Sequence, residues 1–378
     1  MNTTSGLNIS ETRIIESPEQ LSEHLRKASE TDTPVIPVGG GTCLATGHPV
    51  DHDFLALDVT GYSGVVDYIP TDMTAGFLAG TPVSEVQRIL AENGQELPID
   101  LAQDDAGTIG GLIATGFSGP RRYGLGTLKD LLIGCEYVRG DGLVAKAGGM
   151  TVKNVSGFEI SRMLHGSWGS LAVLTRVNLK VLPKTRADRT LVWRDSSAEE
   201  ALSRQERLLA RFPGAVAIQT VQHGAGWDTS IRFTGRNSAV EDYVAQAVEL
   251  EGATKTYGSG ESIWALDASS PQNPQLVLSV SAEQLTETVT SLISTGAVSN
   301  VSASFGTGTV RARINQDVVG ADHFANLGSQ LWMVEGGNND WKREIPVWGP
   351  EREDRLVMQS VKAQFDPAGI LNRSRLFI

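Results

Sequence analysis

The chain has 378 residues, 40% of them hydrophobic, and a formal net charge of −12 from 32 basic and 44 acidic side chains. That length exceeds what one hydrophobic core usually supports, so two domains are expected. The acidic balance speaks against nucleic acid or an anionic membrane surface as a general partner.

Two cysteines, Cys43 and Cys135, fall short of the four thiolates an iron–sulfur cluster normally takes, so if the chain handles electrons the next carrier sits on another chain. A disulfide between them is not expected in a reducing compartment. No stretch holds eighteen apolar residues in a row, and the start Met1–Ser5 lacks a basic region and an apolar core. These features predict a cytoplasmic protein. No internal repeat or low-complexity tract is present.

In chain order, the first eleven residues are polar and are expected to fray. Ser17 and Pro18 open a helix with Leu21 and Leu25 on one face. Pro34–Val38 reads as a buried strand feeding a glycine loop, and Phe54–Val59 and Val65–Tyr68 as further strands. Thr81-Pro82 starts a second helix, with Val83, Val86 and Leu90 facing inward and Gly94 stopping it. Leu131–Val138 and Leu143–Ala147 flank Gly140-Asp141-Gly142, a hairpin signal, and Leu171–Leu182 is another strand ended by Pro183. Beyond a boundary near residue 186, helices at Ala198–Arg211, Ser238–Leu250 and Glu283–Ser294 alternate with strands at Val216–Gln222, Leu276–Val280 and Thr309–Ile314. This βαβ-like alternation suggests an α+β layer. A last helix at about Arg352–Phe365 places Met358, Val361 and Phe365 on one face.

Three glycine blocks organise the chain. They are Val38–Ala45 with Gly39-Gly40-Gly41, Gly107–Gly116, and Gly166-Ser167-Trp168-Gly169-Ser170. Glycines this dense let backbone approach another body, and bare N–H groups in turns make anion-binding concavities. Taken alone, the first block suits a tight turn equally well, and the second suits a helix–strand junction. The first is not a Rossmann fingerprint, because Leu44 stands where the last glycine belongs and no helical run follows.

Together the blocks resemble the FAD-binding domain of the vanillyl-alcohol oxidase / p-cresol methylhydroxylase family. Within it, Ser118–Arg122, Lys153–Gly157 and the tail Phe365–Asn372 are similar to the smaller, FAD-binding E subunits of bacterial glycolate oxidases. The likeness is dense over residues 33–185, thin over the next 170 or so, and returns at the tail. It implies a two-subdomain FAD-binding domain of the p-cresol methylhydroxylase type over residues 1–185. A smaller α+β cap over 186–350 and a C-terminal helix and tail, 351–378, packing back on the FAD domain complete this α+β fold. Carried over residue by residue, it implies FAD contacts at Val38, Gly39, Gly40, Gly41, Thr42, Cys43, Pro98, Thr108, Gly110, Gly111, Thr115, Gly116, Ser118, Gly166, Gly169, Ser170 and Val173. It also implies oxidation of glycolate or D-lactate, a larger FAD-containing hydroxy-acid-oxidising subunit and an iron–sulfur subunit as partners. Peripheral attachment at the inner face of a membrane through that complex is compatible with the cytoplasmic expectation.

Some relatives attach FAD through a histidine near the first loop. Here Thr42 and Cys43 stand there and His48 and His52 lie beyond, so the FAD is expected to be non-covalent. Pro49 breaks a helical His48/His52 pairing, and no metal site is expected. No catalytic residue stands out. Arg121 and Arg122 suit a carboxylate or phosphate, or an interdomain salt bridge. Lys153 and Asn154 are placed near the flavin by the resemblance. His165 and His223 are weak candidates for a base, and a structural role suits His165 better. The His-rich G-D-G-N segment of the hydroxy-acid-oxidising relatives is absent, since Ser304–Thr309 has neither histidine nor carboxylate. The tail Leu371–Arg375 departs from the N-P-G-R that usually follows. A self-sufficient FAD-dependent oxidoreductase of a small hydroxy acid or alcohol, and a non-catalytic flavoprotein scaffold, are the alternatives to a complex subunit.

Overall fold

A computed structural model describes residues 6–100, 106–150, 159–252, 255–258, 261–264, 269–270, 272–325, 327 and 331–376. The Lys153–Asn154 segment lies outside the described residues.

Strand β1 (Ile9–Ile14) precedes helix α1 (Pro18–Glu30), and β2 (Val35–Val38) and β3 (Phe54–Asp58) follow. They form an all-parallel sheet in the order β1-β3-β2. The start of the chain is therefore not frayed from Ile9 onward. Its side chains are mostly exposed, so backbone pairing with β3 rather than apolar patterning holds β1. Ser17 caps α1 by accepting the Gln20 N–H, and Leu21, Leu25 and Ala28 pack on Val35, Leu57, Val138 and Val173.

β4 (Val65–Ile69) and β5 (Thr74–Leu78) lead into helix α2 (Val83–Ala91), the two-residue β6 (Gln95–Glu96) and helix α3 (Ile109–Thr115). β7 (Leu132–Arg139) and β8 (Val144–Gly148) form the expected hairpin, and β9 (Ala172–Lys180) follows. The resulting sheet is antiparallel, ordered β4-β5-β9-β7-β8. Phe77, Val83, Val86, Leu90, Ile109, Ile113, Val177 and Leu179 are buried in its core. β10 (Leu182–Pro183) pairs back with β6.

The remaining strands are β11 (Ala187–Asp195), β12 (Ala217–His223), β13 (Gly226–Gly235), β14 (Lys255–Tyr257), β15 (Gln275–Ser279), β16 (Val298–Ser304), β17 (Thr309–Ile314) and β18 (Leu331–Glu335). They form one sheet in the order β14-β11-β13-β12-β16-β17-β15-β18. Every pairing in it is antiparallel, which corrects the βαβ-like reading. Parallel pairing needs crossover connections. Here tight turns at Gly224 (φ +61°) and Gly308 (φ +61°) reverse the chain into hairpins instead. Helices Ala198–Arg211 and Ala282–Ser294 bury Ala201, Leu202, Leu285, Val289 and Leu292 against the sheet, over Val301, Val310 and Ala312.

The tail returns to the first sheet. Val35 N–H donates to the Ile370 carbonyl (2.8 Å) and Asn372 N–H to the Val35 carbonyl (2.9 Å), so residues 370–372 run parallel beside β2. Asp366, 1% exposed, fixes this return by accepting the N–H groups of Ile370 (3.1 Å) and Leu371 (2.8 Å) and the Lys362 ammonium (2.6 Å).

Candidate functional site

β2 delivers the chain into the first glycine loop, and no helix follows. Turns close it, from Leu44 N–H to the Gly41 carbonyl (3.3 Å) and from Thr46 N–H to the Cys43 carbonyl (3.0 Å). The loop lies hard against the second glycine block. A Cβ on Gly40 would stand 1.9 Å from the Ala106 carbonyl oxygen, and one on Gly39 would stand 2.3 Å from Thr108 Oγ1. Gly110 is similarly pressed on Ala79, where a Cβ would stand 2.8 Å from the carbonyl oxygen. The first body these glycines approach is thus other backbone. Gly41 (φ +75°), with only Leu44 Cδ1 at 3.6 Å, opens on free space.

That space is a cleft of about 760 Å³, in the upper part of the roughly 300–1,000 Å³ range of cofactor sites. Of the residues singled out in the sequence, Val38, Gly39, Gly40, Gly41, Thr42, Cys43, Thr108, Gly110, Gly111, Thr115, Gly169 and Val173 line it. Pro98, Gly116, Ser118, Gly166 and Ser170 do not. Gly116 caps α3 at φ +69°, and Gly166 and Trp168 donate to the carbonyls of Ile113 (3.0 Å) and Ala114 (2.7 Å). Ser170 donates to the Ser167 carbonyl (2.6 Å), so the third block acts largely by bracing α3. Ser118 lines a separate, smaller cavity. The far wall comes from the second half of the chain: Arg311 and Glu335, ion-paired at 3.0 Å, with Trp348, Asn372 and Arg375.

The arginine pair divides. Arg121 is 8% exposed and built into the fold, with Nε on Asp100 (2.6 Å), Nη1 on Glu96 (3.0 Å) and Nη2 on the Ile99 carbonyl (2.8 Å). It has no free face for substrate. Arg122 reaches across to β17, donating to the Thr307 carbonyl (2.8 Å) and the Thr309 hydroxyl. His165 sits behind Gly116, outside the cleft, and burial pushes its pKa down. His223 is an exposed residue at the β12 end, 3.9 Å from Asp228 and away from the cleft.

Two buried cations stand behind the first loop. Lys342, 2% exposed, donates Nζ to the Ala45 carbonyl (2.7 Å), and burial, with Arg375 nearby, lowers its pKa to about 8. Arg375, 5% exposed, donates to the carbonyls of Leu44 (2.7 Å) and Thr46, and burial lowers it to about 10. Neither meets a carboxylate among the described residues, and Arg375 Nε is buried without a partner. Buried cations without counter-charge are costly. Among the described residues, the backbone N–H groups of Gly39, Gly40, Gly41 and Thr42 are also without an acceptor. A dianionic diphosphate in the cleft answers both deficits, and the donor set fits it.

Strand, glycine loop and bracing helix, opposed by a second sheet across a cleft of this size, make the kind of site an FAD-binding domain provides. Residues 12–148 match the family described as FAD binding domain, and FAD is the cofactor. The chain is 36% identical over 186 residues to glycolate oxidase subunit GlcE of Escherichia coli K12, covering 49% of this chain and 52% of that protein. It is 30% identical over 185 residues to a D-lactate dehydrogenase of Archaeoglobus fulgidus, covering 49% and 41%. To glycolate oxidase subunit GlcD of Bacillus subtilis it is 29% identical over 174 residues, covering 46% and 37%. The matches thus span about half the length of these relatives or less. The solved structure of an alkyldihydroxyacetonephosphate synthase superposes with a TM-score of 0.68 over 96% of this chain and 75% of that one. At 16% identity that likeness concerns the fold.

The far wall was not legible in advance. Arg311 and Glu335 sit on alternating strands that look like any half-exposed ladder, and 23 intervening residues hide their pairing. Only Asn372 and Arg375 lay in a stretch singled out from the sequence, the C-terminal tail.

Proposed function

We propose that this chain is the FAD-binding subunit of an oxidoreductase complex that converts glycolate or D-lactate to the 2-oxo acid and passes the electrons to an iron–sulfur partner. The observation that carries the reading is the cleft itself, with its unpaired N–H groups at Gly39–Thr42 and the two uncompensated cations behind them. FAD, when bound, supplies the acceptor for the hydride that leaves a CH–OH carbon.

The chain's own residues hold and enclose that group. The glycine loops supply N–H donors, Lys342 and Arg375 supply positive charge, and Trp348, Arg311 and Glu335 close the opposite side against water. No histidine of the chain lines the cleft among the described residues, which favours shared chemistry with a larger flavin subunit. Two cysteines in the sequence leave the next electron carrier to a partner.

The experiment is anaerobic addition of glycolate or D-lactate to the FAD-loaded chain, alone and after reconstitution with its partners. Bleaching of the flavin only in the reconstituted complex supports the subunit reading. Full bleaching in the isolated chain replaces it with a self-sufficient oxidoreductase.

A further inference from the structure

A second, much smaller cavity of about 40 Å³ adjoins the cleft. Its walls are the turn Ser118–Arg122 and the facing strands β12, β16 and β17. Arg311 lines both cavities, so the small one lies at the edge of the space assigned to FAD. Ser118, Gln219, Ser302 and Thr309 stand with Arg122 and Arg311 among the residues that line it.

Arg122 is half-buried, and its guanidinium meets only neutral oxygens: Ser118 Oγ (3.3 Å), the Thr307 carbonyl (2.8 Å) and the Thr309 hydroxyl. No carboxylate pairs with it among the described residues, whereas Arg121 beside it has two. Burial and the neighbouring Arg311 charge both push the Arg122 pKa down. Arg311 is offset by Glu335 at 3.0 Å. Two guanidinium groups and one carboxylate leave a net charge of +1. A single carboxylate group matches that charge, the size of the cavity and the forked donor geometry of a guanidinium.

We propose that Arg122 and Arg311 form a carboxylate subsite that takes the carboxylate of a small 2-hydroxy acid at the edge of the FAD cleft. The proposal rests on the hydroxy-acid reading above and adds where the substrate's charged end docks. Arg121, held by Asp100 and Glu96, takes no part. The turn Ser118–Arg122 then serves two ends. It ties the flavin half to β17 through Thr307 and Thr309, and it presents one uncompensated charge to the ligand.

The test is calorimetric titration of oxalate, a small carboxylate that carries no CH–OH bond to oxidise, into the FAD-loaded chain. Wild type is compared with Arg122→Gln, Arg122→Lys and Arg88→Gln, and bound flavin is read from the visible spectrum of each. Loss of a charged hydrogen-bond donor weakens binding by roughly ten- to a hundredfold. Arg122→Gln is therefore expected to lose that much oxalate affinity at unchanged flavin content, Arg122→Lys to recover part of it, and Arg88→Gln, an exposed arginine on α2, to stay near wild type. Equal oxalate binding by wild type and Arg122→Gln overturns the proposal, as does no binding to wild type. Inorganic phosphate binding as tightly as oxalate also overturns it, since the site would then be a general oxyanion pocket. If oxalate binds as expected but the reconstituted complex leaves glycolate and D-lactate untouched, the redox reading fails and the subsite stands.

Discussion

Lys342 offers a direct handle on the flavin site. It is buried with its ammonium on the Ala45 carbonyl, and its pKa falls from the ordinary 10.5 to about 8. A base whose folded pKa is depressed binds fewer protons in the folded than in the unfolded chain between those two values. Stability of the FAD-free protein therefore rises with pH across the window from about 8 to 10.5. Below pH 8 the full penalty of burying the charge applies, about 3 kcal/mol. Between pH 7 and pH 10 about 2.5 kcal/mol of it is relieved. Lys342→Met has no such group. Urea unfolding of both FAD-free proteins at pH 7 and pH 10 should show wild type gaining about 2.5 kcal/mol on the variant. The other titrating groups are common to both and cancel. FAD reverses the balance, because a diphosphate near the ammonium favours the protonated form. Wild-type affinity for FAD should accordingly fall as pH rises through 8, while that of Lys342→Met stays flat. Stability profiles that remain parallel within about 0.5 kcal/mol would refute the reasoning.

Three further outcomes follow from packing and hydrogen bonding. Gly40→Ala places a Cβ 1.9 Å from the Ala106 carbonyl oxygen, so the two loops must part; a loss of about 1–3 kcal/mol in urea unfolding and of bound flavin in the visible spectrum is expected. Arg121→Met takes from the buried Asp100 carboxylate its nearest cation, leaving Arg232 at 4.0 Å, and should cost about 3 kcal/mol; Asp100→Asn in the same background should recover part of it, with FAD affinity unchanged in the double variant. Asp366→Ala leaves the Ile370 and Leu371 N–H groups and the Lys362 ammonium without their acceptor. Faster amide exchange at Val35 and Asn372, with a loss of about 3 kcal/mol, is expected there.

What the sequence disclosed follows from how local each signal is. Ser17-Pro18 with Leu21 and Leu25 marked α1, and Gly140-Asp141-Gly142 marked the β7–β8 hairpin, because caps and turns are written in neighbouring residues. β5 was missed because Thr74–Leu78 is short and holds Gly76, whose missing side chain makes room for Asn178 and Arg176. α3 was hidden by Gly110 and Gly111 inside it, which weaken any helical pattern. β11 and β13 escaped notice because Arg189, Arg194 and Arg232 interrupt their apolar runs. Asp188 and Asp228, which pair with Arg232 and Arg194, lie far off in sequence.

At the cleft, the glycine loops were legible because close backbone approach demands glycine. Their purpose was only partly so. Gly39 and Gly40 serve the contact between the loops, and Gly116 and Gly166 brace α3, a distinction that only the fold reveals. Arg121 and Arg122 are adjacent and chemically identical in sequence. Asp100, Glu96 and Thr307 separate their roles, and all three reach the turn through tertiary structure. Lys342 gave no signal, since a buried lysine reads in sequence as any surface lysine, and Arg375 stood out only as part of a tail that departs from the usual pattern.

The central claim is that FAD sits, non-covalently, in the cleft bounded by the glycine loops, Arg311 and Arg375. The most direct measurement is the visible spectrum of the purified chain, followed by denaturation and analysis of the supernatant. A flavin band that moves entirely into the supernatant as FAD, and that Gly40→Ala and Lys342→Met diminish, is the predicted result. A protein that stays colourless when FAD is added, or a flavin that remains on the precipitated chain, would contradict it.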